Sequence, residues 1–403
     1  MDHGVTAATW LTLATMILAA KLGGEGALRL GQPAVLGELL AGVVLGSLPF
    51  AAVDAFNHEA QGTAIAFAAE LGVMLLLFQV GLESSVRQMV NVAPRAGVVA
   101  LLGVVAPTIL GYGTSRALLP AAPSSLHLFV GATLCATSVG VTASVLKDAG
   151  VLGASEANII LGAAVIDDVL GLIMLAVVSA IAVSGAPDVA MIARISGVAV
   201  AFVVGSLAVG LWVMRGVSHV AARLRAPHVL GAVSIAFCLV LAGVSDQSGL
   251  AAIVGAYVAG LLLDDVRLKP FGSGGLKQVE EFAAPIVAVF APVFFVRTGM
   301  NVKLTGFNGS TILLTLALVV AAFVGKLACG LGVRGAKVDR LTVGFGMVPR
   351  GEVGLIFADA GQKLVIGGEP LFPPGVYASL VAAVFVTTVV APPALAARLG
   401  RLK

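Results

Sequence analysis

Residues 161–178 read LGAAVIDDVLGLIMLAVV and place two adjacent acidic residues, Asp167 and Asp168, inside a long apolar run. An ionised carboxylate at the centre of a bilayer costs at least ~2.5–3.5 kcal/mol, so two in succession need a function that offsets this cost. Successive helix residues point about 100° apart, so the two carboxylates do not face each other and should have different tasks. We predict a direct role for this pair in ion transport.

The composition places the whole chain in a lipid bilayer. Apolar residues make up 59% of its 403 residues, charged residues make up 11%, and the mean hydropathy is +1.06. Soluble domains carry roughly 25% charged residues, so the chain is not expected to be a soluble globule or to bind nucleic acid. The 50 glycines favour closely packed membrane helices. Cys135, Cys238 and Cys329 show no CxxC spacing, which excludes a typical zinc or disulfide pattern, and no cofactor is expected.

Apolar runs of about 20 residues, separated by charged or Gly/Pro-rich breaks, predict an all-α polytopic membrane protein with about 13 transmembrane helices. The first run shows no signal-peptide features, so we expect it to be retained. The predicted spans are 5–21, 32–51, 62–82, 93–117, 125–147, 153–184, 189–214, 228–245, 248–264, 279–298, 309–333, 339–362 and 373–397.

The basic residues predict an orientation. With the N-terminus outside, seventeen Lys and Arg residues fall on the cytoplasmic side and five on the opposite side, a strong positive-inside bias. An odd number of spans then leaves the C-terminus in the cytoplasm. Lys326 and Arg350 fall inside spans and therefore need a separate explanation.

Two segments suggest an internal inverted repeat. ATSVGVTASVLKDAG (136–150) resembles VPRGEVGLIFADAG (348–361), with Gly140 matching Gly351 and Asp-Ala-Gly ending both. The segments lie in the fifth and twelfth predicted spans, so they would cross the membrane in opposite directions. Secondary transporters typically place their ion site at the interface of such repeats.

The residue types of the buried polar positions favour a hard monovalent cation. Carboxylate, hydroxyl and carbonyl oxygens suit such a cation, and loss of water around a carboxylate lets protons compete with it for one site. One acid of the pair can face a water-filled cavity and bind the cation, while the other faces a neighbouring helix. Lys326 is the natural partner of that second acid and a candidate proton carrier. The alternative for Lys326 is a snorkelling lysine, because Arg334 lies two turns away.

Two short stretches predict interruptions of their helices. Thr137, Ser138 and Gly140 form the first, and Pro349, Arg350, Gly351 and Glu352 form the second. Unwound backbone would expose carbonyl ligands and helix ends with partial charges. We interpret Arg350 and Glu352 as residues that stabilise the crossover of the two interruptions. Glu38, Gln79, Glu83 and Asp246 are lesser candidates, for which a capping or interfacial role is favoured.

Seven motifs together resemble the bacterial sodium/proton antiporters of the NapA type, in the cation:proton antiporter superfamily. They are QPAVLGELLAGVVLG (32–46), LLLFQVGLE (75–83), ATSVGVTASVL (136–146), LGAAVIDDVLGLI (161–173), AAIVGAYVAGLLL (251–263), GKLACG (325–330) and GMVPRGEVGLI (346–356). The resemblance implies thirteen spans, a homodimer, and two crossed broken helices in a core that moves like an elevator past a dimerisation domain.

The resemblance also implies roles for single residues. Asp168 would bind the cation, Asp167 would form a salt bridge with Lys326, and Thr137 and Ser138 would support them at the crossover. The pair of aspartates with a later lysine implies electrogenic exchange. As a single transporter unit over 1–403, the chain would have a dimerisation part near 1–90 and 225–300, a core near 91–185 and 305–400, and a linker helix near 189–215.

We therefore predict a transporter of the bacterial inner membrane, not an enzyme, that exchanges Na⁺, with Li⁺ as a further candidate, for protons. A K⁺/H⁺ antiporter of the same fold is the main alternative, although we do not expect the appended nucleotide-binding domain that potassium-efflux relatives usually carry. An organic anion carried with Na⁺ would want a basic site, for which only Lys326 and Arg350 are available. An intramembrane aspartyl protease is disfavoured because its acids must face each other from separate helices. A structural or sensory role offers nothing to offset the buried acids.

Overall fold

The computed structural model describes residues 6–400, apart from 48–59, 61, 83–85, 185–188, 192, 195, 199, 203–204, 207, 209–227, 249, 267–274, 302–308, 334–337 and 367–368. The helices are α1 Ala7–Arg29, α2 Ala34–Ser47, α3 Thr63–Leu82, α4 Val86–Leu118, α5 Ser124–Thr133, α6 Val139–Asp148, α7 Ser155–Ser184, α8 Val189–Phe202, α9 Val229–Gln247, α10 Ala252–Val266, α11 Gly275–Met300, α12 Gly309–Leu327, α13 Arg340–Gly346, α14 Gly351–Lys363 and α15 Pro374–Leu399. A 3₁₀ turn, Ala328–Gly332, extends α12.

The prediction of an all-α membrane protein is confirmed. In the described part of the chain, eight helices are long and apolar enough to cross a membrane. The other five predicted spans coincide with three shorter apolar helices and with two helices that are interrupted midway. A two-residue hairpin, Val365–Ile366 paired with Glu369–Pro370, is the only strand structure in the described residues. The count of thirteen crossings stays a prediction.

Some predicted boundaries are wrong at helix ends. α1 continues to Arg29 instead of ending at 21, and its added turns carry an exposed ion pair of 2.7 Å between Glu25 and Arg29. α4 begins at Val86 rather than at 93. Polar residues therefore extend these helices beyond the apolar stretch from which a span is recognised. The C-terminal half of the predicted linker helix, 203–215, lies mostly outside the described residues.

The helices pack in two groups. The first bundle contains α1, α2, α3, α9, α10 and α11, and the second bundle contains α4, α5, α7, α12, α13, α14 and α15. Contacts within each bundle are far more extensive than contacts between them, and α6 touches helices of both. The candidate ion-binding residues lie in the second bundle and at its boundary with the first.

Glycines allow close approach of helix backbones in the first bundle. A Cβ atom added at Gly260 of α10 would lie 2.1 Å from the carbonyl oxygen of Phe78 on α3, and one added at Gly81 would lie 2.3 Å from that of Tyr257. The two helices therefore pack backbone against backbone, as small residues permit in membranes. This contact fixes the position of α10 beside the boundary between the bundles.

Candidate functional site

The first helix interruption lies between α5 and α6. Helix α5 ends at Thr133 and α6 begins at Val139, with Ser138 in an extended conformation. The Ser138 N–H donates to the Pro349 carbonyl over 2.7 Å, and the Thr142 hydroxyl donates to the Gly346 carbonyl over 2.7 Å. The freed backbone groups of one interruption are thus satisfied by the other, as a low-dielectric interior requires.

The second interruption lies between α13 and α14 and is organised by Arg350. This side chain is fully buried, and its guanidinium donates to the carbonyl oxygens of Ala136, at 2.8 Å, and Ala322, at 3.3 Å. Ala136 belongs to the first interruption, so Arg350 joins the two breaks and α12. A cation next to freed carbonyls neutralises their partial negative charge.

Gly351 is required where α14 begins. Its φ is +51°, and a Cβ atom there would lie 2.5 Å from the Ser138 Oγ. Its N–H donates to the Thr388 hydroxyl of α15 over 3.0 Å. The φ value and the close approach to Ser138 both demand glycine, and the Thr388 contact holds the second interruption to α15.

An ion pair lies beside this crossover. Lys326 Nζ is 3.3 Å from the Asp167 Oδ2 and donates to the Thr137 hydroxyl over 2.6 Å. Lys326 is fully buried and Asp167 is 2% exposed, so a snorkelling lysine is ruled out in this structure. Asp167 Oδ1 has no hydrogen-bond partner within the described part of the chain. The salt bridge is therefore charge-balanced but leaves one carboxylate oxygen open to a proton.

Asp168 faces a different environment. Leu161, Val165 and Asp168 follow one face of α7 and line a small cavity with Leu77 of α3, Val139 of α6 and three residues of α10. The cavity therefore lies at the boundary of the two bundles. The cavity volume is about 10 Å³, which is close to the minimum that one water molecule needs. The two acids have different surroundings because neighbouring helix residues point about 100° apart.

Other predicted site residues lie near the crossover with more limited roles. Gly140 is in the first turn of α6 and not in the interruption, and a Cβ there would meet the Val73 side chain at 3.1 Å. Pro349 provides the carbonyl that accepts from Ser138. Glu352 lies in α14, but its side chain is outside the described atoms.

The four lesser candidates have diverse positions. Gln79 is 1% exposed and accepts a hydrogen bond from Lys147 of α6, so it does not cap a helix. Glu38 is buried at 8% exposure in α2, whereas Asp246 is exposed near the end of α9. Glu83 lies outside the described residues. Gln79 and Lys147 thus connect the first bundle with a broken helix.

Sequence reasoning missed Thr142, Thr388 and Tyr257. Thr142 of α6 and Thr388 of α15 both satisfy backbone groups of the second interruption, and Tyr257 lines the Asp168 cavity. Hydroxyl residues in apolar helices gave a signal, but most such residues bond their own helix. No group of three or more His, Cys, Asp or Glu side chains that could hold a metal ion is found among the described residues.

Comparison with known families gives a match over almost the whole chain. Residues 13–399 match the family model described as the transmembrane sodium/hydrogen exchanger. The high-affinity Na⁺/H⁺ antiporter NhaS3 of Synechocystis sp. is 35% identical, over 98% of this chain and 90% of that protein. The Na⁺/H⁺-K⁺ antiporter GerN of Bacillus cereus is 33% identical, over 95% of this chain and 94% of that protein.

Solved structures show the same fold. The sodium proton antiporter MjNhaP1 of Methanocaldococcus jannaschii superposes with a TM-score of 0.71, over 97% of this chain and 95% of that chain, at 16% sequence identity. A second structure of the same antiporter, determined at pH 8, gives a TM-score of 0.67 over 98% of this chain and 97% of that chain. At this identity the likeness concerns the fold alone.

Proposed function

The chain belongs to the sodium/hydrogen exchanger family, and from this premise we propose that it exchanges Na⁺ for protons through Asp167 and Asp168. It is a multi-pass membrane cation:proton antiporter and not an enzyme. The observation that carries the proposal is the pair of neighbouring acids with different surroundings. Asp167 is paired with Lys326, and Asp168 lines a cavity at the boundary of the bundles.

Asp168 is the proposed site of competition between Na⁺ and H⁺. A carboxylate at a nearly dry boundary cannot stay ionised without a counter-ion, so either a cation or a proton must occupy it. Thr137 and Ser138 bring hydroxyl and carbonyl oxygens to the same crossover, and these are suitable ligands for a hard cation. Taking turns at one site couples the two fluxes in opposite directions.

Lys326 and Asp167 are the proposed second proton site. Their contact is a buried ion pair that loses one net proton to water when Na⁺ near Asp167 replaces the Lys326 ammonium as counter-charge and leaves a neutral lysine, and that regains the proton when Na⁺ departs. The Thr137 hydroxyl accepts a hydrogen bond from Lys326, and Thr137 directly precedes Ser138 in the first interruption. Cation binding near the crossover can therefore disturb the Lys326–Asp167 pair. A proton carried here in addition to the one at Asp168 makes the exchange electrogenic.

Alternating access is proposed to occur by movement of one bundle past the other. The sparse contact between the bundles and the cavity at their boundary support such a movement. The first bundle, within 1–90 and 225–300, would serve as the dimerisation part of a homodimer. The second, within 91–185 and 305–400, would move as the core, with the helix near 189–215 as linker. We further propose the bacterial inner membrane as the location, with the N-terminus outside and the C-terminus in the cytoplasm.

The decisive experiment compares Asp168→Asn with the wild type in proteoliposomes that carry an internal pH indicator. We expect Na⁺ addition to discharge the pH gradient in the wild type and to have no effect in the variant. Asp246→Asn, which changes an exposed acid near the end of α9, is the matched control and should exchange normally. Undiminished exchange by Asp168→Asn would overturn the proposal.

K⁺ is the second candidate cation, because the relative GerN is named a Na⁺/H⁺-K⁺ antiporter. The same vesicles, tested with Na⁺, Li⁺ and K⁺ separately, discriminate the possibilities. We expect Na⁺ to give the largest proton flux at equal concentration. A larger flux with K⁺ would change the substrate but leave the roles of both acids intact.

A further inference from the structure

Gly103 of α4 lies directly beside the buried Lys326 ammonium. A Cβ atom added at this glycine would lie 3.3 Å from the Lys326 Nζ, 3.3 Å from the Cys329 Sγ and 3.9 Å from the Lys326 Cδ. Both of these side chains are fully buried, so they cannot move aside into solvent or lipid. The space between Gly103, the Lys326 Nζ and the Cys329 Sγ is called the α4 niche below.

The packing of α4 on α12 fixes the size of the α4 niche. One turn after Gly103, Pro107 approaches Gly325 of α12 so closely that a Cβ atom at Gly325 would lie 2.6 Å from the Pro107 Cα. The two backbones are therefore in direct contact next to Lys326, as small residues permit in membranes. Close-packed helices adjust little to a change of one methyl group. The room beside the ammonium consequently depends on the side chains at positions 103 and 329.

The polar partners of the ammonium belong to other elements than α4. Lys326 Nζ donates to the Thr137 hydroxyl of the first interruption over 2.6 Å and to the Asp167 Oδ2 of α7 over 3.3 Å. In the proposed exchange, Na⁺ near Asp167 replaces this ammonium as counter-charge and leaves a neutral lysine. The neutral amine is no longer attracted by the carboxylate, and Na⁺ needs space beside the same oxygens. The amine must therefore be able to withdraw from Asp167.

We infer that Gly103 is a positioning residue that gives the Lys326 amine room to withdraw from Asp167 when Na⁺ takes its place. The inference rests on the proposed function of the Lys326–Asp167 pair. Because Gly103 has no side chain, the amine can shift into the α4 niche by rotation about the lysine's own bonds, while α4 and α12 stay in place. A methyl group at position 103 would hold the ammonium against Asp167. Gly103 thus determines how readily Na⁺ competes with the lysine.

The first test is Gly103→Ala, measured as Na⁺-dependent proton flux in proteoliposomes. We expect the apparent KM for Na⁺ to rise about tenfold, with little change in the maximal rate, because the added methyl group stabilises the state that lacks Na⁺. Gly97→Ala is the matched control, since it adds the same group to α4 at a position with nothing within 4 Å. An unchanged KM in Gly103→Ala, or an equal rise in Gly97→Ala, would overturn the inference.

The second test, Cys329→Ala, enlarges the α4 niche and should have the opposite effect. We expect the apparent KM for Na⁺ to fall about threefold, and the double variant with Gly103→Ala to return towards the wild-type value. Disturbed packing alone would raise the KM in both single variants.

Cys329→Ala also decides the question if Gly103→Ala is poorly folded. An unchanged or raised KM in Cys329→Ala would contradict the assignment of the niche. Absence of Na⁺-dependent proton flux in the wild type would instead refute the proposed function, so the two failures are distinguishable.

Discussion

The two helix interruptions meet each other, yet they carry different chemistry. The break between α5 and α6 contains the neutral hydroxyl residues Thr137 and Ser138, and Thr137 contacts the Lys326 ammonium. The break between α13 and α14 contains Pro349 and the fully buried Arg350, whose guanidinium holds backbone carbonyls of two other elements. The two interruptions are therefore alike in that each breaks a helix, but they differ in the chemistry of the side chains that they contain.

The difference suggests a division of labour between the breaks. A hydroxyl can exchange one partner for another at small cost, because it both donates and accepts. A buried guanidinium has only donors and a permanent charge, so leaving its carbonyl acceptors is expensive. We expect the first break to take part in binding and release and the second to keep the crossover in shape.

The largest expected effect is the loss of Arg350. In Arg350→Met the carbonyls of Ala136 and Ala322 lose their donor, which should destabilise the protein by roughly 2–6 kcal/mol. Lys326→Met should lower stability less, because Asp167 can take a proton and become neutral, but it should change the charge moved per Na⁺. Thermal unfolding of the purified proteins and transport against an imposed membrane potential measure the two effects. A greater loss of stability in Lys326→Met would reverse the proposed division.

Gly351→Ala should have the next largest effect. Alanine at position 351 must adopt a left-handed backbone conformation, and its Cβ must approach the Ser138 Oγ at 2.5 Å. We therefore expect the free energy of unfolding to fall by about 2–3 kcal/mol. Combining it with Ser138→Gly should recover the part due to the clash but not the part due to φ. Gly153→Ala, at a position with open space, is the control. If the double variant is no more stable than Gly351→Ala, the contact between the breaks is not what requires glycine.

The smallest expected effect concerns Thr388. Thr388→Val removes the acceptor of the Gly351 N–H, which should cost about 1 kcal/mol and lower the unfolding temperature slightly. Thr387→Val is a suitable control, because the Thr387 hydroxyl bonds only to carbonyls of its own helix. Equal changes in the two variants would show that Thr388 does not support the second break.

Much of the site follows from residue chemistry along the chain. Burying a polar or charged side chain in a membrane costs free energy, so each such residue conflicts with the apolar run around it. These residues are the two acids in one run, the lysine in another, and the hydroxyl, proline and arginine residues at the two repeat positions. That conflict identified Asp167, Asp168, Lys326, Thr137 and Arg350 before their contacts were known. Tyr257 and Thr388 were not identified, because tyrosine and threonine are tolerated in membrane helices and signal no conflict.

Which partner each group selects depends on sequence separations that no local pattern encodes. Arg350 reaches Ala136 across 214 positions, and Lys326 reaches Asp167 across 159. From the residues alone, either acid could have faced the lysine, and the choice was settled by the rotation of α7 against its neighbours. The division of the helices into two bundles is likewise a property of packing, since every span has a similar apolar composition.

The sequence by itself determined that this chain lies in a membrane, that it is helical, and that acids, a lysine and two helix breaks are buried there. It did so because the free energy of burying a charge depends on the residue and on the apolar length around it. Only the tertiary structure decided that Asp167 pairs with Lys326, while Asp168 lines the cavity beside Tyr257. The side of a helix on which a residue lies determines its environment only when other helices pack around that helix.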